Sequence, residues 1–355
     1  MFSLSKRVSL KEINSIFVSL PDGIGDLIYW LPVLRIIFRQ KKNLVVRLPI
    51  DCQKFLPLCG AESLGVAEVH FIQPSEEELS DLSVLLNDNK ESLEIFGPYI
   101  YRSQIRVGLS GGQYRKKFLT HAPMKLLLIK TKHEIDRNKR LLNVFNLNHD
   151  NCNIEDLLSI SCLAPNKKLF DSKKYVVLHP YSRGHGREWS ISSFLDLAER
   201  FIDDGYTVVL TGSLSEREKI KKDNPYFLSL NNVVNLFGKL SLSELLALLK
   251  DAKIVIAAST GSVHLAAALG AKTLGLYPPK KGLNPNRWGP IGSKALALSL
   301  RKCNEKSCAI DDCECMRKLS VDNVFKIAKC YMTDGSTGFS SASEQADLIE
   351  WRFRR

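Results

Sequence analysis

Two successive series of short apolar, β-branched segments, most of them followed by residues at helical spacing, leave this chain little choice but layered α/β architecture built on parallel sheets. In the first series the spacing predicts strands over 15–20, 44–48, 69–72, 93–96 and 105–108, a helix over 27–39 with Leu27, Trp30, Leu31, Leu34 and Phe38 on one stripe, and a helix over 133–145. The second series predicts strands over 175–179, 207–211, 233–236, 253–258 and 273–277, and helices over 190–201, 215–222, 241–250 and 262–270. Ser241 followed three residues later by Glu244 is a capping box that marks one of these helix starts. Between the series the pattern loosens over 151–174, where Pro165, Asn166 and several lysines read as a linker. With 355 residues, 45% of them hydrophobic, the chain can fill two cores, so the expected domains are 1–165 and 166–332. The remainder, 333–355, opens with a Gly/Ser/Thr-rich tract that reads as a flexible linker, and its last dozen residues are expected to form a short basic amphipathic helix.

A formal net charge of +12 points to an anionic partner. The basic residues cluster at Arg35, Arg39, Lys41, Lys42 and Arg47, at Arg115-Lys116-Lys117, and at the end as Trp351-Arg352-Phe353-Arg354-Arg355. No helix-turn-helix, zinc-finger or RNP signature accompanies them, which removes nucleic acid from the expected partners. The chain lacks a run of about 18 apolar residues, and its start lacks the apolar core of a signal peptide, so the expected location is the cytoplasm. Nine cysteines agree with a reducing compartment.

The residues able to do chemistry sit where strands pass into helices. At Ile256–Gly270 a buried strand stops at Ser259-Thr260-Gly261 and a helix starts at once, so free N–H groups and the positive end of the helix dipole meet whatever lies before Ser262. Ser259, Thr260 and His264 add polar side chains there, and phosphate is the natural guest; ordinary helix capping and an internal histidine hydrogen bond are the competing reading. The loop from His179 to Ser190 holds Ser182, Arg183 and Arg187, two arginines able to clamp a diphosphate, with Trp189 expected to anchor the loop in the core. Thr211-Gly212-Ser213 and the acidic Glu216 and Glu218 border the same edge, where one carboxylate could accept from ribose hydroxyls.

In the first series a strand empties into Pro21-Asp22-Gly23-Ile24-Gly25-Asp26. A dinucleotide-binding fingerprint would need a third glycine at position 28, where Ile28 stands, and an acidic residue ending the second strand, so a nicotinamide cofactor is not expected. What remains is Asp26 at a helix start, as a reactive carboxylate or as a dipole-stabilising one. Cys303, Cys308, Cys313 and Cys315 lie close in sequence without the CxxC pairs of ordinary zinc modules, leaving a structural zinc or iron cluster and plain reduced thiols both open.

Taken together, Gly25-Asp26 with Leu31-Pro32-Val33-Leu34, Arg187-Glu188-Trp189, Leu236-Phe237-Gly238, the Ser259–Gly270 stretch, Tyr277-Pro278-Pro279 and Arg287-Trp288-Gly289-Pro290 resemble the ADP-heptose:lipopolysaccharide heptosyltransferases, glycosyltransferase family 9, over about residues 15–331. The resemblance implies a GT-B fold: two Rossmann-like domains with parallel sheets facing a central cleft, the acceptor on the first and the nucleotide-sugar on the second. It implies an inverting enzyme that needs no metal or other cofactor for catalysis, with Asp26 as base, Arg187 on the diphosphate, and Thr260, Gly261 and His264 gripping the phosphates. Around these, Arg183, Ser259 and Ser262 are further diphosphate candidates, Ser182, Thr211, Gly212 and Glu216 nucleotide candidates, and Gly25, Arg115 and Lys116 acceptor candidates. Family members often carry Asp where this chain has Ser259, a change that removes a negative charge beside the sugar. The implied partners are an ADP-heptose-type donor, an anionic glycolipid such as lipopolysaccharide core, and the inner face of the membrane. A transferase acting on protein, and a nucleotide-sugar binder without catalysis, are the alternatives.

Overall fold

A computed structural model describes residues 7–21, 23–73, 80–86, 102–109, 119–121, 133–147, 174–182, 187–302, 313–334 and 348–352. Two compact units make up the chain, Met1–Ile160 and Ser161–Arg355. The strand expected over 93–96 and most of the linker at 151–174 lie outside the described residues.

The first unit carries a parallel sheet of β1 (Ser15–Ser19), β2 (Val45–Pro49), β3 (Glu68–Ile72), β4 (Leu82–Leu85) and β5 (Ile105–Gly108), in the order β3-β2-β1-β4-β5. From β1 the chain turns through Gly23 into α1 (Ile24–Arg39), in which every residue from Leu27 to Phe38 is buried. A helix apolar on all sides belongs inside a core rather than on its surface. Its one buried charge, Arg35, is held by its Nε donating to the Ser63 carbonyl at 2.7 Å and Nη2 to the Ser63 hydroxyl at 3.0 Å. Burial, with Arg39 adding repulsion, brings that guanidinium down to about 10. Pro32 inside α1 removes one helix hydrogen bond and crowds the turn before it, and Asn138 reaches across to donate to the Tyr29 carbonyl at 3.2 Å in that turn. Asn138 belongs to α2 (Glu134–Lys139), which tightens into a 3-10 turn over Arg140–Phe145 where a single helix over 133–145 was expected.

The second unit carries β6 (Tyr175–His179), β7 (Thr207–Leu210), β8 (Val233–Asn235), β9 (Val255–Ala258), β10 (Thr273–Leu276), β11 (Ala295–Leu300) and β12 (Leu348–Trp351), in the order β12-β11-β10-β9-β6-β7-β8. All neighbours are parallel except β11 and β12. The helices α3 (Ile191–Asp203), α4 (Leu214–Asp223), α5 (Leu242–Asp251), α6 (Gly261–Ala268) and α7 (Val321–Asp334) accompany it. Ser190, Ser213 and Ser241 each cap a helix by accepting from the N–H three residues on, and the last two complete capping boxes with Glu216 and Glu244. Val176, Leu178, Phe194, Phe201, Ile254 and Ile256 are among the core residues between sheet and helices.

The C-terminal segment corrects the expectation of a terminal helix. Leu348–Trp351 pairs antiparallel with β11, Leu298 opposite Glu350, because Leu-Ile-Glu-Trp, with three strand-compatible apolar residues, closes the open edge of the sheet. Residues 335–347 and 353–355 lie outside the described residues. Among the described residues no helix is long and apolar enough to cross a membrane.

Candidate functional site

Strand order places the site before any side chain is considered. From β6 the chain steps to β7 and β8 on one side, then returns to β9, β10 and β11 on the other, so the connections leaving β6 and β9 diverge at neighbouring strands. Ligands of open α/β sheets bind in the crevice that such a switch opens at the carboxyl ends of the strands. In the first unit β1 and β4 diverge in the same way.

At the end of β9, Thr260 caps α6 in an extended conformation (φ −145°, ψ 166°) and its side chain makes no capping bond, unlike the serines that open α3, α4 and α5. The first-turn amides of a helix have no intrahelical acceptor, so those of Gly261 and Ser262 are available to an anion at the positive end of the dipole. Ser259 and Thr260 are half-buried, while Ser262 and His264 are buried. Ser262 turns its hydroxyl inward, 3.2 Å from Nδ1 of His179 at the end of β6. Tyr277 donates its hydroxyl to the Trp288 carbonyl at 2.9 Å, and burial pushes its phenol upward, with Ser259 pulling the other way.

The connection after β6 is clasped by Glu188, whose Oε1 accepts from the Ser182 amide at 2.6 Å and from the Ser182 hydroxyl at 2.9 Å. Arg187 next to it is only 3% exposed, a position a guanidinium occupies at a cost unless an anion or fixed dipoles answer it. Arg183 lies outside the described residues. Trp189 takes the core role: its Nε1 donates to the Leu319 carbonyl at 2.8 Å and its ring meets Phe194 edge-on at 5.1 Å.

At the end of β7, Thr211 is 1% exposed and its hydroxyl stands 2.9 Å from His179 Nδ1. Glu216 is buried, and its carboxylate accepts from the Ser213 amide at 2.7 Å. Gly212 accepts at its carbonyl from the Gly238 amide at 2.8 Å, joining the turns after β7 and β8. A side chain at Gly212 would start 2.3 Å from a ring carbon of Phe237, which is fully buried and has nowhere to go. Gly212→Ala is therefore expected to cost about 1–3 kcal/mol by overpacking, read as a lower denaturation midpoint; an unchanged midpoint would mean that this turn has slack.

In the first unit Asp26 is exposed in the first turn of α1, whose cap Gly23 offers no side chain to the free amides. The carboxylate bends back over that cap, since a Cβ on Gly23 would lie 3.1 Å from Asp26 Oδ2. Gly25 beside it is half-buried, while the acceptor candidates Arg115 and Lys116 lie outside the described residues. Cys313 and Cys315 are buried and not in a disulfide, and Cys303 and Cys308 lie outside the described residues. Among the described residues no three His, Cys, Asp or Glu side chains stand together to hold a metal.

The family model described as glycosyltransferase family 9 (heptosyltransferase) matches residues 99–317, more than half of the chain. The chain belongs to this family. It is 32% identical over 136 residues to a putative glycosyltransferase of Haemophilus influenzae, covering 36% of this chain and 37% of that protein. Against lipopolysaccharide heptosyltransferase 2 of Escherichia coli it is 30% identical over 122 residues, 33% of each. The chain thus spans only about a third of the length of these curated relatives. Among solved structures, E. coli ADP-heptose lps heptosyltransferase II is similar with a TM-score of 0.68 at 20% identity, over 90% of this chain and 98% of that one. A family 9 glycosyltransferase from Veillonella parvula has a TM-score of 0.67 at 18% identity, over 92% and 99%. The fold of this family 9 chain is GT-B, with two parallel-sheet Rossmann-like α/β units.

Within the family 9 chain the second sheet brings Ser182, Arg187, Thr211, Gly212, Glu216 and the Ser259–His264 segment to connections leaving the carboxyl ends of β6, β7 and β9. Motif reading overlooked His179, Glu188 and Tyr277 as parts of the site. His179 ends a buried strand and so reads as core; only its two hydroxyl neighbours, from distant segments, reveal it.

Proposed function

We propose that this family 9 chain is an inverting glycosyltransferase that moves heptose from ADP-heptose to lipopolysaccharide core or a related glycan, with no metal or other cofactor in the catalytic step. The observation that carries this reading is the start of α6, a helix without a side-chain cap at the end of β9, with the buried Arg187 in the connection leaving the adjacent β6. In this reading Arg187 and the amides of Gly261 and Ser262 receive the charge that develops on the departing diphosphate, with Thr260, His264, Ser259 and Arg183 around it. Such preorganised positive dipoles and a guanidinium supply what a divalent cation supplies in other transferases. The nucleoside lies along the ends of β6 and β7, by Ser182, Thr211, Gly212 and Glu216.

Asp26 takes the proton of an acceptor hydroxyl as that oxygen forms a bond to the anomeric carbon, opposite the breaking bond to the diphosphate. Gly25, Arg115 and Lys116 serve the acceptor. The net charge of +12 favours an anionic glycolipid at the cytoplasmic face of the inner membrane.

A melting experiment with a panel of nucleotide-sugars tests the donor assignment. A ligand present at about 100 times its dissociation constant adds about 2.7 kcal/mol to the folded state, so ADP-heptose should raise the midpoint more than UDP- or GDP-linked sugars do. Equal shifts from all three bases would refute the adenine-linked donor.

A further inference from the structure

The imidazole of His179 stands at the meeting point of three segments. It ends β6, level with Ala257 of β9, and its Nδ1 lies 2.9 Å from the Thr211 hydroxyl beyond β7 and 3.2 Å from the Ser262 hydroxyl in the first turn of α6. All three side chains are buried, at 8%, 1% and 6% exposure, so none of these polar atoms can turn to bulk water instead. With the ring protonated on Nε2, the single Nδ1 lone pair is shared between the two hydroxyls, the nearer Thr211 taking the larger part, and the Ser262 Oγ lies 3.5 Å from Nε2 as well.

We propose that His179 is the positioning residue of the phosphate junction. Ser262 is the second residue of α6, and a serine in a first turn is otherwise free to fold its hydroxyl back onto local backbone groups. Held on His179, the hydroxyl leaves the amides of Gly261 and Ser262 open, and the helix start is locked in rotation against the ends of β6 and β7. The imidazole therefore acts on the anion through α6, with no contact to the anion itself. This inference rests on the reading of that junction as the donor diphosphate site.

The test compares ADP with adenosine, which shares the nucleoside and lacks the phosphates, in calorimetric titrations of the unaltered chain and of His179→Phe, His179→Asn and Ser262→Ala. Phe keeps a flat ring and removes the acceptor, whereas the Asn carboxamide oxygen reaches the place of Nδ1. His179→Phe and Ser262→Ala are expected to weaken ADP about tenfold, in keeping with the loss of one aligned hydrogen bond, while adenosine affinity stays the same and His179→Asn binds ADP like the unaltered chain. If His179→Phe does not fold, Ser262→Ala, which removes only the hydroxyl oxygen, decides. Unchanged ADP affinity in Ser262→Ala, a parallel fall for adenosine, or His179→Asn as weak as His179→Phe would each overturn the positioning role while leaving the donor site standing. Failure of the unaltered chain to bind ADP would overturn the donor reading and this inference with it.

Discussion

Asp26→Asn is expected to slow glycosyl transfer by about 10²- to 10⁴-fold, the usual contribution of a positioned general base, while ADP binding stays within about twofold of the unaltered chain. The substitution keeps the size of the side chain and its place in the first turn of α1, and removes only the capacity to take a proton. An exposed carboxylate on a helix that has no side-chain cap could instead serve only the helix dipole. In that case Asn, itself a good partner for helix starts, would cost a few tenths of a kcal/mol in stability and nothing in rate. Single-turnover rates with saturating donor separate the two, and full activity in Asp26→Asn would remove Asp26 from the reaction.

The largest loss of stability is expected at Trp189. Its indole is 2% exposed, stacks edge-on with Phe194, and donates to the carbonyl of Leu319, so one side chain ties the loop of Arg187 to the segment leading into α7. Trp189→Ala should cost about 3–5 kcal/mol, or roughly 6–20 °C in the melting of a unit of this size. Trp189→Phe refills most of the volume and leaves the Leu319 carbonyl without its donor, for about 1–3 kcal/mol. Equal losses in the two variants would show that packing volume contributes little and that the hydrogen bond carries the anchor.

The legible parts of the fold share one property, a local signal that tertiary contacts reinforce. Tyr175-Val-Val-Leu-His reads as a buried strand and is one, and Ser241 with Glu244 reads as a capping box and is one. The strands that escaped reading lack such a signal. In β11 the sequence Ala-Leu-Ala-Leu-Ser-Leu mixes residues at home in either helix or strand, and only the neighbouring β10 makes it extended. The segment Leu348–Trp351 misled for the related reason that its basic flank suggests an amphipathic helix, while the unpaired edge of β11 that it closes is invisible along the chain. β4, Leu-Ser-Val-Leu, holds a single β-branched residue, and its place between β1 and β5 makes it extended.

The candidate site divides along the same line. Helix starts after glycine-bearing or Ser-Thr-Gly turns are written locally, in backbone conformational preference and capping chemistry, and so Asp26, Arg187 and Thr260–His264 could be picked out from residues alone. Which of those side chains face a ligand and which brace the structure depends on residues far apart in sequence. Ser262 meets His179 across 83 positions and Thr211 meets it across 32. Hydrogen-bond partners at such separations are chosen by strand order, since β6 lies between β7 and β9, and no pattern along the chain encodes that order.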